Sequence, residues 1–470
     1  MATTGDKYDI VIIGGGPGGY VAAARAAQLG LKTALVEKDR LGGVCLNWGC
    51  IPTKSMLESA RVLDLMKRAA DFGLQCRDAT PDWQAIVKRS RAAADRMSKG
   101  VETLMKKNKV EVIAGTASFE APLKLKITAA SGGRTLESRN VIIATGAQPN
   151  ALPGFPFDGK HIISSYEAMV LPEIPKRLLI IGAGAIGAEF AWLYSVMGSE
   201  VTLVEMLDNV LPQGDEEVSR LVERSFQKRG VKVYTSAKVT DVNKSREVWR
   251  YKIADAKKAV DVDAELCLVA VGVHANLDGL NLDKIGVELD HGFVKVNNYM
   301  RTSLPGVWAI GDCNGDPLLA HAASHEGICA VESIAGVPNP GVNRDNVPGC
   351  VYCHPTVASV GMTEREAKEA GRKIKVGKAF FLANGYAQAA GETDGFVKFI
   401  VGKEYHDVLG VHIVGPSAPE LIAEVVLGRV LEVTAREFAT TIHSHPTLSE
   451  AVMEAAAAAH GRAIHYLGRA

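Results

Sequence analysis

Short apolar runs broken by glycine-rich turns set the rhythm of this chain. Residues 8–13, Tyr-Asp-Ile-Val-Ile-Ile, form a β-branched run that predicts a strand and leads into Gly14-Gly15-Gly16-Pro17-Gly18-Gly19. An alanine-rich helical stretch follows, with Gly30 as its C-terminal cap. A second strand is predicted from Lys32 to Val36, with Glu37 at its end. The same order returns later in the chain. Arg177 to Ile181 predicts a strand, Gly182-Ala183-Gly184-Ala185-Ile186-Gly187 a turn into a helix, and Gly198 its cap; Glu200 to Val204 is the next strand, closed by Glu205.

One offset relates the two passages: Gly14, Gly16, Gly19, Gly30 and Glu37 each lie 168 residues before Gly182, Gly184, Gly187, Gly198 and Glu205. A lone GxGxxG is a weak signal, but here it occurs twice between a strand and a helix, with an acid at the end of the following strand. The first glycine serves the tight turn, the second lets backbone approach a pyrophosphate, and the third lets helix and strand pack closely. The helix N-terminus adds free N–H groups and a positive dipole end. Glu37 and Glu205 are then the expected acceptors for ribose hydroxyls. After Glu205 no basic residue occurs until Arg220, and a carboxylate repels a 2′-phosphate, so NAD is favoured over NADP at the second site. The bland alternative is a pair of ordinary glycine-rich turns that bind nothing. Two complete fingerprints instead predict two dinucleotide cofactors, with electrons passed between them.

Between the repeats lies Leu41-Gly42-Gly43-Val44-Cys45-Leu46-Asn47-Trp48-Gly49-Cys50-Ile51-Pro52-Thr53-Lys54. Cys45 and Cys50 are candidates for a redox pair; the alternative is two buried, inert cysteines. On a regular helix residues five apart point in divergent directions, so a bond between them requires irregular backbone near Cys45, which Gly42, Gly43 and Gly49 permit. Pro52 suits the first turn of a helix that runs on through Lys54, which places Cys50 at a helix N-terminus, where the dipole favours a thiolate.

Composition narrows the class. The chain has 470 residues, enough for two to four domains, with 47% hydrophobic and 23% charged residues, as in a globular protein. Its 53 basic and 53 acidic side chains cancel, which gives no support for a nucleic-acid or anionic-membrane partner. No stretch reaches the length of a transmembrane span, and no signal peptide is apparent, so a cytoplasmic location is expected. Eight cysteines are too few for a secreted disulfide scaffold. Cys350-Val351-Tyr352-Cys353-His354 fits a c-type haem attachment pattern, yet without an export signal Cys350 and Cys353 are read as strand residues. His443 and His445 could be two zinc ligands, but no further ligand set accompanies them and no metal is expected.

At GGVCLNWGCIPTK, residues 42–54, the chain resembles the pyridine nucleotide–disulfide oxidoreductases, departing from the usual form at Val44 and Thr53. The resemblance runs over nearly the whole length. It implies an α/β fold of two Rossmann-like dinucleotide-binding domains plus a C-terminal α+β dimerisation domain. An FAD domain is expected over 1–150 and 279–346, an NAD domain over 151–278, and a dimerisation domain over 347–470. Gly14, Gly16, Gly19 and Glu37 would hold FAD, together with Thr145 and Gly146 of an Ala-Thr-Gly turn and Asp312 after the strand Val307–Ile310. Gly182, Gly184, Gly187 and Glu205 would hold NAD, and Lys54 and Glu189 match an ion pair that the family places beside the flavin.

The family's His-Pro-Thr-x-Ser-Glu motif falls on residues 445–450, which implies His445 as acid–base and Glu450 as its orienting carboxylate. Such a base fits the chemistry, because a dithiol is mostly protonated at neutral pH and only the thiolate attacks a disulfide. The resemblance implies oxidation of protein-bound dihydrolipoamide with reduction of NAD+ through the Cys45–Cys50 disulfide and FAD. It also implies a homodimer, served by a lipoyl-bearing protein of a 2-oxoacid dehydrogenase complex or of the glycine cleavage system. Another NAD(P)H-dependent disulfide reductase of the family is the alternative. Departures at His274 and at Thr356 leave the finer contacts of those segments open.

Overall fold

The computed structural model describes residues 6–130, 132–243, 248–256, 258–315 and 317–465. The chain forms two compact units: residues 1–56, 85–150 and 272–344 make the first, and residues 57–84, 151–271 and 345–470 the second.

The first unit is built on a seven-stranded sheet. Strands Glu111–Ala114, Thr33–Glu37, Asp6–Ile13 and Gly132–Ile143 run parallel in that order, Val307–Ala309 joins the end of Gly132–Ile143 in parallel, and a hairpin of Lys124–Ala129 and Thr116–Ala121 extends the other half of that long strand. Ile10 to Ile13 are all buried, Val11 and Ile13 in one apolar cluster and Ile10 and Ile12 in another. A strand buried on both faces needs a continuous apolar run, which is why this segment does not alternate. The helix Pro17–Gln28 follows the first strand, and Leu29 closes it before Gly30, which has φ of +79°. The strand expected at Lys32–Val36 is found at Thr33–Glu37.

The second unit holds a five-stranded parallel sheet in the order Lys232–Tyr234, Glu200–Val204, Arg177–Ile181, Leu266–Val269, Ile162–Ile163. The helix Ala185–Met197 leaves the Arg177–Ile181 strand through the second glycine loop. A separate five-stranded antiparallel sheet contains Gly349–Val351, Thr356–Gly361, Val408–Gly415, Phe396–Gly402 and Ile374–Phe380. The helices Ala418–Val430 and Glu450–Ala458 share its apolar core, where Ala455 and Ala456 are wholly buried.

One expectation is corrected in this region. Cys350 lies in a strand, but Cys353 does not: the strand stops at Val351, and the next begins only at Thr356. Pro355 has no N–H to give a ladder, and the buried Cys353 thiol bonds instead to the Pro355 carbonyl at 3.3 Å.

Candidate active site

The two glycine loops show which glycines the protein needs for itself. Gly14 and Gly182 have φ of +107° and +98°, and a Cβ there would lie 2.2 Å from the Ala144 carbonyl oxygen and 2.4 Å from that of Ala270. A Cβ at Gly19 or Gly187 would stand 1.8 or 1.9 Å from the carbonyl oxygen of the first glycine of its own loop. Those four positions are fixed by the fold. The middle glycines are different: around Gly16 the nearest atom is 3.9 Å away, and around Gly184 nothing lies within 4 Å. Each is the N-cap of its helix without a side-chain cap, so first-turn N–H groups open onto that space. A glycine that the protein's own packing does not demand, beside free N–H donors, fits a pyrophosphate drawn close to the backbone.

The two acids repeat as faithfully as the glycines. Glu37 accepts the Gly15 N–H at 2.7 Å and that of Asp39 at 2.8 Å; Glu205 accepts the Ala183 N–H at 2.7 Å and that of Leu207 at 2.9 Å. Both carboxylates therefore pin the loop they face, a role the sequence reading did not foresee. Each oxygen keeps acceptor capacity for a ribose hydroxyl.

In the first unit, Thr145 and Gly146 follow the strand Gly132–Ile143, and the Thr145 hydroxyl is buried beside the Cys313 thiol. Asp312 sits in the 3-10 turn Gly311–Asn314, where burial raises its carboxyl. The turn is held from beneath by Glu326, 1% exposed, which accepts the Gly311 N–H at 2.6 Å and the Asn314 amide at 3.0 Å, with Arg344 at 3.5 Å. Sequence reasoning missed Glu326, one of two acids, with Glu332, in the helix Ala320–Ala335, and nothing in the spacing sets it apart. Asn276 also joins this region, its N–H bonding the Gly146 carbonyl at 2.9 Å, and His274 bonds Asn150 at 2.7 Å.

Cys45 and Cys50 are joined as a disulfide, with 4.7 Å between their Cα atoms. The break in regular backbone expected near Cys45 falls at Gly49, one of the three glycines that permit it. Cys45 lies within a short helix, Gly43–Trp48, and Cys50 opens a second, Cys50–Lys67; Gly49 between them has φ −152° and ψ −111°. Two helices meeting at an angle bring together side chains that one continuous helix would hold apart. The short helix is braced from the 83–107 helix: Arg91 lies over the Trp48 ring at 4.8 Å and donates to the Asn47 carbonyl at 2.7 Å. Asn47 donates to the carbonyls of Leu41 and Gly43, and Ser98 also donates to Leu41. Lys54 is one turn beyond Cys50 on the same helix and so shares its face.

In the second unit, His445 Nδ1 lies 2.9 Å from Glu450 Oε1, and the imidazole is 76% exposed. Burial raises the Glu450 carboxyl, but the Thr447 N–H and the histidine outweigh it and hold it below the usual carboxylate range. Both ring nitrogens of His443 are engaged, with Glu424 Oε1 at 2.7 Å and the Thr441 carbonyl at 3.0 Å. Among the described residues no group of three or more metal-ligating side chains occurs. Glu189, 5% exposed, accepts the Tyr352 N–H at 3.0 Å. His354 stacks on Trp192 at 5.9 Å and faces Glu392 at 3.6 Å.

A disulfide beside one glycine loop and a second loop of the same build define a class of redox enzyme, and comparison with known proteins gives that class its name. Residues 8–327 match the family described as pyridine nucleotide-disulphide oxidoreductase, and residues 347–456 match that family's dimerisation domain. The chain belongs to this family. The dihydrolipoyl dehydrogenase of Zymomonas mobilis is 46% identical over 464 residues, covering 98% of this chain and 100% of that protein. That of Chlorobaculum parvum is 47% identical over 456 residues, covering 96% and 97%. The crystal structure of LpdA from Mycobacterium tuberculosis superposes with a TM-score of 0.89 at 29% identity, covering 96% of this chain and 99% of that one. No helix among the described residues is long and apolar enough to cross a membrane.

Proposed function

We propose that this chain oxidises protein-bound dihydrolipoamide to lipoamide and reduces NAD+. The observation that carries the reading is the Cys45–Cys50 disulfide on two helices that meet at Gly49, in the unit that also holds the first nucleotide loop. His445, oriented by Glu450, takes the proton from one thiol of the substrate. The resulting thiolate attacks the sulfur of Cys45; the Cys45–Cys50 bond breaks, and its electron pair leaves on Cys50, where the N-terminus of the Cys50–Lys67 helix favours a thiolate. The second substrate thiol gives up its proton and attacks the mixed disulfide, which releases lipoamide and leaves Cys45 reduced. Two electrons have then passed from the lipoyl sulfurs to the protein disulfide.

Gly14, Gly16, Gly19, Glu37, Thr145, Gly146 and Asp312 are the residues assigned to FAD, with Lys54 and Glu189 as the pair assigned beside its ring, and Gly182, Gly184, Gly187 and Glu205 those assigned to NAD. When bound, FAD supplies a two-electron carrier between the protein dithiol and NAD+. The dimerisation domain supports a homodimer, and the exposure of His445 supports its use against a second copy of the chain. The reading places the enzyme in the cytoplasm, with the lipoyl domain of a 2-oxoacid dehydrogenase complex or a glycine-cleavage carrier as its substrate protein.

The test is Cys50→Ser. Lipoamide-dependent turnover should vanish while oxidation of NADH by an artificial acceptor persists. Retention of lipoamide turnover would remove the assignment.

A further inference from the structure

A charge cluster in the second unit has a buried lysine at its centre, and the catalytic chemistry does not use it. Lys398 lies in Phe396–Gly402, a strand whose seven residues are all buried, and its side chain is 1% exposed. Its ammonium reaches Asp215 at 2.9 Å, Glu217 at 2.7 Å and Glu364 at 2.7 Å. In register on either side stand Lys378, bonded to Glu217 at 2.7 Å, and His412, whose Nε2 faces the Met362 carbonyl at 2.9 Å. Lys368 completes the pairing of Glu364 at 2.6 Å. Buried ion pairs contribute little net stability once desolvation is counted, and their best-attested use is to specify one arrangement.

The arrangement specified here leads to the second glycine loop. Asp215 is the N-cap of the helix Glu216–Lys228, accepting the Glu217 N–H at 3.1 Å. One turn into that helix, the hydroxyl of the buried Ser219 donates to the Leu211 carbonyl at 3.2 Å. Leu211 has φ of +51°, a conformation that branched side chains seldom adopt and that persists only where its surroundings enforce it. Its N–H bonds the Ala183 carbonyl at 2.8 Å, while Glu205 holds the Ala183 N–H. The peptide between Gly182 and Gly184 is thus gripped on both sides, by Glu205 and by a relay that starts at Lys398.

We propose that Lys398 is a positioning residue for NAD: acting through Asp215, Ser219 and Leu211, it fixes the loop that receives the pyrophosphate. This rests on the assignment of Gly182–Gly187 to NAD. The test compares the FAD-loaded wild type with Lys398→Met and Ser219→Ala. Calorimetric titration with NAD+ reads affinity, and stopped-flow reduction of the bound flavin by dihydrolipoamide reads the other half-reaction. Both variants should bind NAD+ about five- to tenfold more weakly, with the dihydrolipoamide rate unchanged within about twofold. Ser219→Ala leaves the charge cluster intact and decides the matter if Lys398→Met does not fold. NAD+ affinity equal to wild type in folded Lys398→Met, or in Ser219→Ala, overturns the proposal. A wild type that binds no NAD+ removes the functional reading and this inference with it, an outcome distinct from the first.

Discussion

Glu450 divides its two oxygens: Oε2 receives the backbone N–H of Thr447 at 2.9 Å, and Oε1 faces His445 Nδ1 at the same distance. The carboxylate is therefore fixed by the main chain of its own turn before it orients the imidazole. Replacing His445 with Gln should lower dihydrolipoamide turnover by about 10²–10⁴-fold. Glu450→Ala should lower it less, by about tenfold, because the imidazole remains but is no longer aimed. Steady-state kinetics with NAD+ saturating distinguishes the two, and an unaffected Glu450→Ala would contradict the orienting role.

The glycines of the second loop should separate by position. Gly187→Ala drives a Cβ to 1.9 Å from the Gly182 carbonyl oxygen and should cost about 1–3 kcal/mol or more of stability, read as a lowered Tm. Gly184→Ala meets nothing in the protein and should keep the wild-type Tm, yet weaken NAD+ by about tenfold or more. Equal NAD+ affinity in folded Gly184→Ala would show that the open space has another purpose.

Glu326 should behave as a support of the flavin turn. Glu326→Ala takes its acceptor from the Gly311 N–H and leaves the Asn314 amide only the longer bond to the Ala309 carbonyl at 3.4 Å; a buried group left unsatisfied costs about 1–3 kcal/mol. The purified variant should carry less FAD, measured by the ratio of visible to ultraviolet absorbance. Full occupancy would place the role of Glu326 elsewhere.

Glu364 gives a pH signature. Burial raises its carboxyl, but hydrogen bonds from Lys368 and Lys398 prevail and hold it down at about 2, against an ordinary value of 4.5. A depressed folded-state value contributes stability that is present above pH 4.5 and lost as the pH falls toward 2. Glu364→Gln should therefore be less stable than wild type at neutral pH, with the gap closing as the pH falls through that window. Denaturant midpoints at a series of pH values check it; a constant gap would contradict the linkage.

The local patterns legible in the sequence are those with a short-range cause. The strands Arg177–Ile181 and Glu200–Val204 fall where they were expected, because behind a charged first residue each is a continuously buried run, apolar except at Thr202. The Cys45–Cys50 pairing was legible as a candidate, but not the hinge at Gly49. Three glycines in that segment could each have broken the helix, and residues distant in sequence brace the result: Arg91 grips the short helix at Asn47, and Ser98 holds Leu41 just before it. Glu326 and Lys398 stayed hidden for the same reason: a buried charge is defined by partners that no spacing rule connects. Glu37 and Glu205 were expected from sequence as ribose acceptors, while their hold on Gly15 and Ala183 shows only in three dimensions.

The Cys45–Cys50 bond closes a ring of very few residues. Cross-linking so short a segment removes little freedom from an unfolded chain, about 2 kcal/mol on the chain-entropy scale, against about 4.7 for a hundred-residue loop. Arg91, Asn47 and Ser98 already hold the same backbone through contacts that do not involve sulfur. The bond that opens and closes at every turnover is thus one the scaffold scarcely leans on, so the enzyme can alternate between oxidation states without loosening its architecture.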